Sequence, residues 1–275
     1  MEIMSKVNFH QTFPPTLEYL SRLLEITDMT DELSKEEVSE ITGIPTGKSS
    51  GKVEPHIDYA IYMGMIENIS NQKGKYRLIR TKLGSKIMKE DMGLREEVTQ
   101  LLCHVRLTSP ATGAFLWRLL IRSILPNYPN GIRFLLLEDE LKKQPVFATK
   151  KTVNMGPFYT TYEESFETFN FLAKTKDTLK IIPQTFKNEL LYVYAYALLY
   201  EWEQIFAQNN EITADQVAIL KFAAAFGFGS TLEYSIFERM SEKGIIRING
   251  QLSPFTIIKN ASSDAMIEKA YSLLC

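Results

Sequence analysis

Cysteine is scarce in this chain of 275 residues: two occur, Cys103 inside an apolar segment and Cys275 at the end. Their number and spacing fit neither a disulfide framework nor a thiolate metal site, which points to a reducing compartment. Long apolar runs are also missing. The longest, Leu190 to Tyr200, has eleven residues rich in tyrosine, well below the roughly 20 that a membrane helix needs. Met1 to Asn8 lacks the apolar centre of a signal peptide. A cytoplasmic protein with no membrane role is therefore expected. An excess of charge of one sign is absent as well, the formal net charge being −2, so any contact with nucleic acid must be local and directional. No nucleotide fingerprint, catalytic triad or metal quartet is present, which puts a free-standing metabolic enzyme far down the order. What is present is a hydrophobic content of 45%, enough for a sizeable core in one or two domains, or three small ones.

The chain organises itself around Ile41 to Glu67. Ser34 with Glu37 three positions on is the signature of a capped helix start, Val38 and Ile41 share its face, and Gly43 ends it. Past a polar turn, Val53, Ile57, Ala60, Ile61 and Met65 recur at helical spacing. Two short strand-like runs follow, Ile66 to Ser70 and Tyr76 to Ile79, around a basic tip of residues 71–75. Helix, turn, helix and hairpin make a winged helix-turn-helix, in which the second helix enters the major groove and the wing rides on a phosphate backbone. The charge is segregated accordingly. Residues 47–89 hold nine cations (Lys48, Lys52, Lys73, Lys75, Arg77, Arg80, Lys82, Lys86, Lys89) against Glu54, Asp58 and Glu67, a balance of +6. Residues 25–40 hold seven acids against Lys35, a balance of −6. The expected DNA contacts are Thr46, Gly47, Lys48, Ser49, Ser50, Gly51, Lys52 and His56 at the leading end of the second helix, and Lys73, Lys75 and Arg77 on the wing. Winged helices also dock proteins, so an adaptor stands beside the DNA reader. A phosphate loop does not: Gly43 and Gly47 enclose three residues where the motif needs four, and Pro45 removes a donor.

The rest of the chain reads as mainly α. A helix carrying Leu17, Leu20, Leu23 and Leu24 precedes the module, and helices are expected over 95–107, 114–125 and 133–141. Residues 145–210 are rich in aromatics that at helical spacing build a core more often than they stack bases. Glu163, Glu164 and Glu167 fall within one helical turn, and a solvated acidic face is the default. From Thr213 the opening order repeats: two helices, then a hairpin over 244–252 with an Asn-Gly turn. This is read as a second winged-helix-like module, for protein contacts, because its five basic and five acidic residues over 211–259 cancel. Three regions result: 1–107 the DNA-reading winged helix, 108–210 a helical aromatic middle, and 211–275 the winged-helix-like tail. His10, between Phe9 and Phe13, is a weak catalytic candidate beside the commoner packed role. Cys103 and His104 are helical neighbours about 100° apart and do not form a nucleophile pair.

Phe9-His10-x-Thr12-Phe13, the run Gly43-Ile44-Pro45-Thr46-Gly47-Lys48-x-Ser50-Gly51-Lys52-Val53, Tyr59-Ala60, Met63-Gly64, Thr81-x-Leu83-Gly84, Thr99-Gln100 and His104 together resemble a bacterial family first catalogued as a domain of unknown function. That family is encoded beside DNA-phosphorothioation genes and includes SspB-like proteins, described as strand-nicking partners of sulfur-transfer enzymes. The resemblance is tightest over 7–107. It implies a DNA-binding part in phage defence, with double-stranded DNA, the sulfur-transfer enzyme and the ATPase as partners. A homodimer and strand nicking are left open. Nicking would call for Mg or Mn; no metal ligands are assigned and no other cofactor is implied. Relatives often carry an acid after the first histidine where this chain has Gln11, which puts the cutting activity in question. Glu140-Leu141-Lys142 sits in a helical pattern and supplies no nuclease signature.

Overall fold

Ser34 begins the helix expected of it. In the computed structural model, which describes residues 7–47, 51–150, 152–250 and 254–273, its hydroxyl accepts from the Glu37 N–H at 3.2 Å and the Glu37 carboxylate accepts from the Ser34 N–H at 2.6 Å. This reciprocal cap satisfies two donors that a bare helix start leaves open. The helix, α2 (Lys35–Thr42), ends at Gly43 in the left-handed region, φ 68°. Before it lie α1 (Leu17–Glu25), which buries Leu20, Leu23 and Leu24, and the short strand β1 (Leu33–Ser34). After it come α3 (Val53–Tyr62), β2 (Ile66–Asn68), β3 (Lys75–Tyr76) and β4 (Leu78–Arg80). β2 and β4 pair antiparallel with Glu67 opposite Ile79, and β3 pairs with β1, Leu33 opposite Tyr76. The hairpin is thus anchored both to its own return strand and to the strand ahead of α2.

The next helix, α4 (Lys82–Glu90), is seated by two glycines. The Thr81 hydroxyl accepts from the Gly84 N–H at 2.9 Å and donates to the Gly64 carbonyl at 2.6 Å. A Cβ on Gly84 would stand 1.8 Å from the Met65 carbonyl oxygen, and one on Gly64, at φ 70°, would stand 2.5 Å from the Arg106 guanidinium carbon. Met63-Gly64 and Thr81-x-Leu83-Gly84 are therefore one packing device. Gly84→Ala is expected to cost about 3 kcal/mol or more in urea unfolding, because backbone must move. Gly74→Ala on the hairpin, with nothing within 4 Å of the new methyl, should cost only about 1 kcal/mol for its positive φ. Equal losses at the two positions would refute this account.

The middle is organised around α5 (Glu97–Leu107), buried along most of its length. α6 (Phe115–Leu119) widens into a π-helical stretch at Leu120–Ile124, so the expected helix over 114–125 is interrupted. Then come β5 (Ile132–Arg133), α7 (Phe134–Lys142), α8 (Pro145–Ala148), α9 (Gly156–Thr160), β6 (Leu172–Lys174), β7 (Thr178–Ile181) and the long α10 (Leu191–Ile205). β5, β7 and β6 form an antiparallel sheet with β7 central, which adds strands to a region expected to be helical. Phe158, Tyr162, Phe166, Phe169 and Phe171 are buried, and ring contacts link them around His104.

The tail comprises β8 (Glu211–Thr213), α11 (Ala214–Leu220), α12 (Phe222–Phe226), α13 (Ser230–Glu242), β9 (Ile246–Asn249), β10 (Thr256–Lys259) and α14 (Ser263–Ala270). Thr213 and Gln216 form a second capping box. β10 is central, between β8 and β9, with Asn249 opposite Thr256. The return strand lies beyond the Asn249-Gly250 pair, so the expected tight turn within 244–252 is corrected to a longer connection. Strand, helices, hairpin and capped helix thus occur in the same order in head and tail. The two last helices of these runs meet: Lys82 pairs with Asp264 at 2.6 Å and Lys86 with Glu268 at 3.0 Å. The architecture is mainly helical, and among the described residues no helix is long and apolar enough to cross a membrane.

Candidate nucleic-acid interface

The start of α3 is set by the N-terminal segment. Tyr59 donates its hydroxyl to the Phe13 carbonyl at 3.0 Å, and the Phe9 ring packs on Tyr59, Tyr62 and Trp117. The Thr16 N–H donates to His56 Nε2 at 3.1 Å while His56 Nδ1 donates to the Lys52 carbonyl at 2.7 Å. His56 is fully buried, and burial lowers its pKa to about 4. It was expected on the contact face; instead it is a neutral clamp that fixes where α3 begins. Ahead of it, the Lys52 N–H donates to the Pro45 carbonyl at 2.8 Å, and the backbones of Gly47 and Gly51 approach so closely that a Cβ on Gly51 would meet the Gly47 oxygen at 2.7 Å. Glycine at 51 is what permits that closure. Gly47 is exposed and Thr46 partly so, while Lys48, Ser49 and Ser50 lie outside the described residues. The Lys52 ammonium rests over the rings of Phe13 and Tyr19, 5.6 and 5.7 Å from their centroids, a cation–π placement that keeps its charge at the head of the helix.

On the hairpin, Asn68 Oδ1 accepts from the N–H groups of Ser70 and Arg77, holding the turn. Lys73 and Arg77 are exposed, and no ion pair among the described residues engages either. Lys75 is less free, 3.4 Å from Glu37. The outward side of α3 carries exposed Glu54, which accepts from the Tyr76 hydroxyl at 3.2 Å, and half-buried Asp58 one turn on. A phosphate laid along that face would be repelled.

Ion pairing also redistributes the balance of +6. Arg80 pairs with Asp28, Lys82 and Lys86 with α14, and Lys89 lies 3.7 Å from Glu90. The cations left for a ligand among the described residues are Lys52, Lys73 and Arg77, with Lys75 shared. The balance of +6 read from the sequence counts four cations, Arg80, Lys82, Lys86 and Lys89, that answer acids of the chain itself; Glu90 is a neighbour in sequence, while the fold brings Asp28, Asp264 and Glu268 near.

His10 and His104 do not meet. His10 is enclosed by Phe9 and Trp117, with its Nδ1 unpartnered, and burial lowers its pKa to about 4. His104 faces the Tyr162 hydroxyl at 3.0 Å and the Ala225 carbonyl at 2.7 Å, buried, its pKa lowered to about 3. Burial raises the Cys103 thiol to about 12, which makes it unreactive. Among the described residues no three His, Cys, Asp or Glu side chains gather as a metal-holding group.

Two solved structures share this architecture. One is described as a magnesium ion-bound SspB crystal structure, at TM-score 0.69, and the other as an SspB crystal structure, at 0.71; each is 12% identical, over 97% of this chain and 86% of the other. The fold is SspB-like. At that identity the likeness to SspB is one of fold alone. No family model matches the sequence, and no curated protein matches it.

Proposed function

We propose that this chain is a DNA-binding component of a bacterial DNA-phosphorothioation system, with residues 1–107 acting as a winged-helix reader. Residues 108–210 serve as its helical support and 211–275 as a second, winged-helix-like module for protein contacts. The observation that carries the reading is the pairing of exposed Lys73 and Arg77 on the hairpin, which no ion pair among the described residues engages, with Lys52 held at the head of α3, in an SspB-like fold. Thr46, Gly47, Lys48, Ser49, Ser50, Gly51 and Lys52 contact one backbone and the hairpin another; His56 fixes Lys52 through its carbonyl. The acidic face of α3 restricts phosphate contact to these ends, and carboxylates in a groove can accept from cytosine amino groups. The partners are double-stranded DNA and the sulfur-transfer and ATP-using subunits.

Fluorescence anisotropy with a short duplex over a salt series tests it. Binding should weaken with salt, with a log–log slope of roughly −2 to −4, about 0.9 per phosphate neutralised. Supercoiled plasmid with Mg or Mn in the same preparation tests strand nicking; conversion to open circles would add that activity, and its absence leaves a targeting subunit. No binding at low salt would overturn the DNA reading in favour of an adaptor.

A further inference from the structure

Away from the hairpin, the C-terminal ends of α1 and α2 leave a groove of about 440 Å³ between them. Its apolar surface is Ile26 with two exposed side chains, Met29 at 38% and Ile41 at 47%. Its electrostatics are negative for two independent reasons. The C-terminal residues of both helices border it, and helix C-termini favour cations; Arg22, which lines the groove, already donates to the Thr42 carbonyl at 2.9 Å and has its charge paired with Glu18. The surrounding residues 25–40 also carry the balance of −6. Of those seven acids, Asp28, Glu36 and Glu37 answer Arg80, Lys35 and Lys75. Among the described residues no ion pair engages Glu25, Asp31, Glu32 or Glu40, and Glu25 lines the groove itself.

We propose that this groove receives a cationic amphipathic segment of a partner protein, its apolar side chains on Met29 and Ile41 and its Lys or Arg residues toward Glu25 and Glu40. DNA is repelled by the same charge, so the occupant is a protein, and the inference stands apart from the DNA reading. An apolar floor with a charged rim is the usual form of helix-in-groove recognition.

The test titrates the full chain with an 18-residue amidated peptide of leucine and lysine at amphipathic helical spacing. Two control peptides accompany it, one with glutamate for lysine and one scrambled, with anisotropy and the methyl resonances of Met29 and Ile41 as readouts. Saturable binding of the lysine peptide that shifts both methyls, and weakens about tenfold or more in Ile41→Lys and in Glu25→Lys/Glu40→Lys, is the result expected. These positions are exposed, so unchanged circular dichroism and Tm should accompany the loss. Equal binding of the acidic or scrambled peptide, binding that leaves the two methyls unmoved, no saturable binding, or concentration-dependent self-association lost in Ile41→Lys would each overturn it, the last by naming a second copy as the occupant.

Discussion

Lowering the pH from 7 to 4 is expected to remove on the order of 5 kcal/mol of stability from this protein, as much as many domains possess. The chain has three histidines, and burial lowers all three, His10 and His56 to about 4 and His104 to about 3. A group whose folded pKa lies below its unfolded value binds fewer protons when folded. Stability from it is therefore present above about pH 6.5 and is lost as the pH falls toward 4. Two carboxyls that burial raises, Glu233 and Glu201, act in the opposite sense. Glu201, 3.8 Å from Arg122 with both side chains about 1% exposed, is raised by burial to about 7, although Arg122 and the Ser109 hydroxyl at 2.9 Å pull the other way. Its ionisation penalises the fold as pH rises from about 4.5 to 7, so acid relieves a penalty there. Three imidazoles outweigh these carboxyls. Urea unfolding at steps between pH 7.5 and 4.5 should show the loss, and Glu201→Gln should steepen it by removing one opposing group. Imidazole nitrogen resonances supply the direct check: a histidine titrating near pH 6.5 in the folded protein would refute the account for that residue.

What could be read from the sequence divides by range. The Ser34–Glu37 cap and the Gly43 stop are encoded within a few residues, and each is found as expected. The hairpin after α3 was legible because its strands and basic tip are contiguous. His56 was not: its neighbours in sequence include Lys52 and Asp58, and what buries it is a segment starting forty residues earlier, through Thr16 and Tyr19. The use of Lys82 and Lys86 was hidden for the same reason, since Asp264 and Glu268 lie 182 residues away. The sheet of β5, β6 and β7 escaped because strands of two to four residues show no alternation. In the tail, the Asn249-Gly250 pair indicated a tight turn, yet Asn249 itself pairs with Thr256.

Reversing Lys73 and Arg77 to glutamate should weaken duplex binding by about tenfold to a hundredfold near 0.1 M salt and reduce the salt slope by about two. The fold should be untouched, because both side chains are exposed and the turn is held by Asn68 and backbone groups. Two further variants give this result its meaning. Glu54→Gln removes a carboxylate from the outward face of α3 and should strengthen nonspecific binding if a duplex lies across that face. Asp264→Asn/Glu268→Gln releases Lys82 and Lys86 from α14. Affinity that stays constant on their release places the duplex on the hairpin and the head of α3, whereas affinity and slope that rise together extend the contact to α4. An unchanged slope in the Lys73 and Arg77 reversal would leave those two cations without a phosphate to meet. Around the groove between α1 and α2, the charges that no ion pair among the described residues engages, Glu25, Asp31, Glu32 and Glu40, are all acidic, and these select for a protein rather than for DNA.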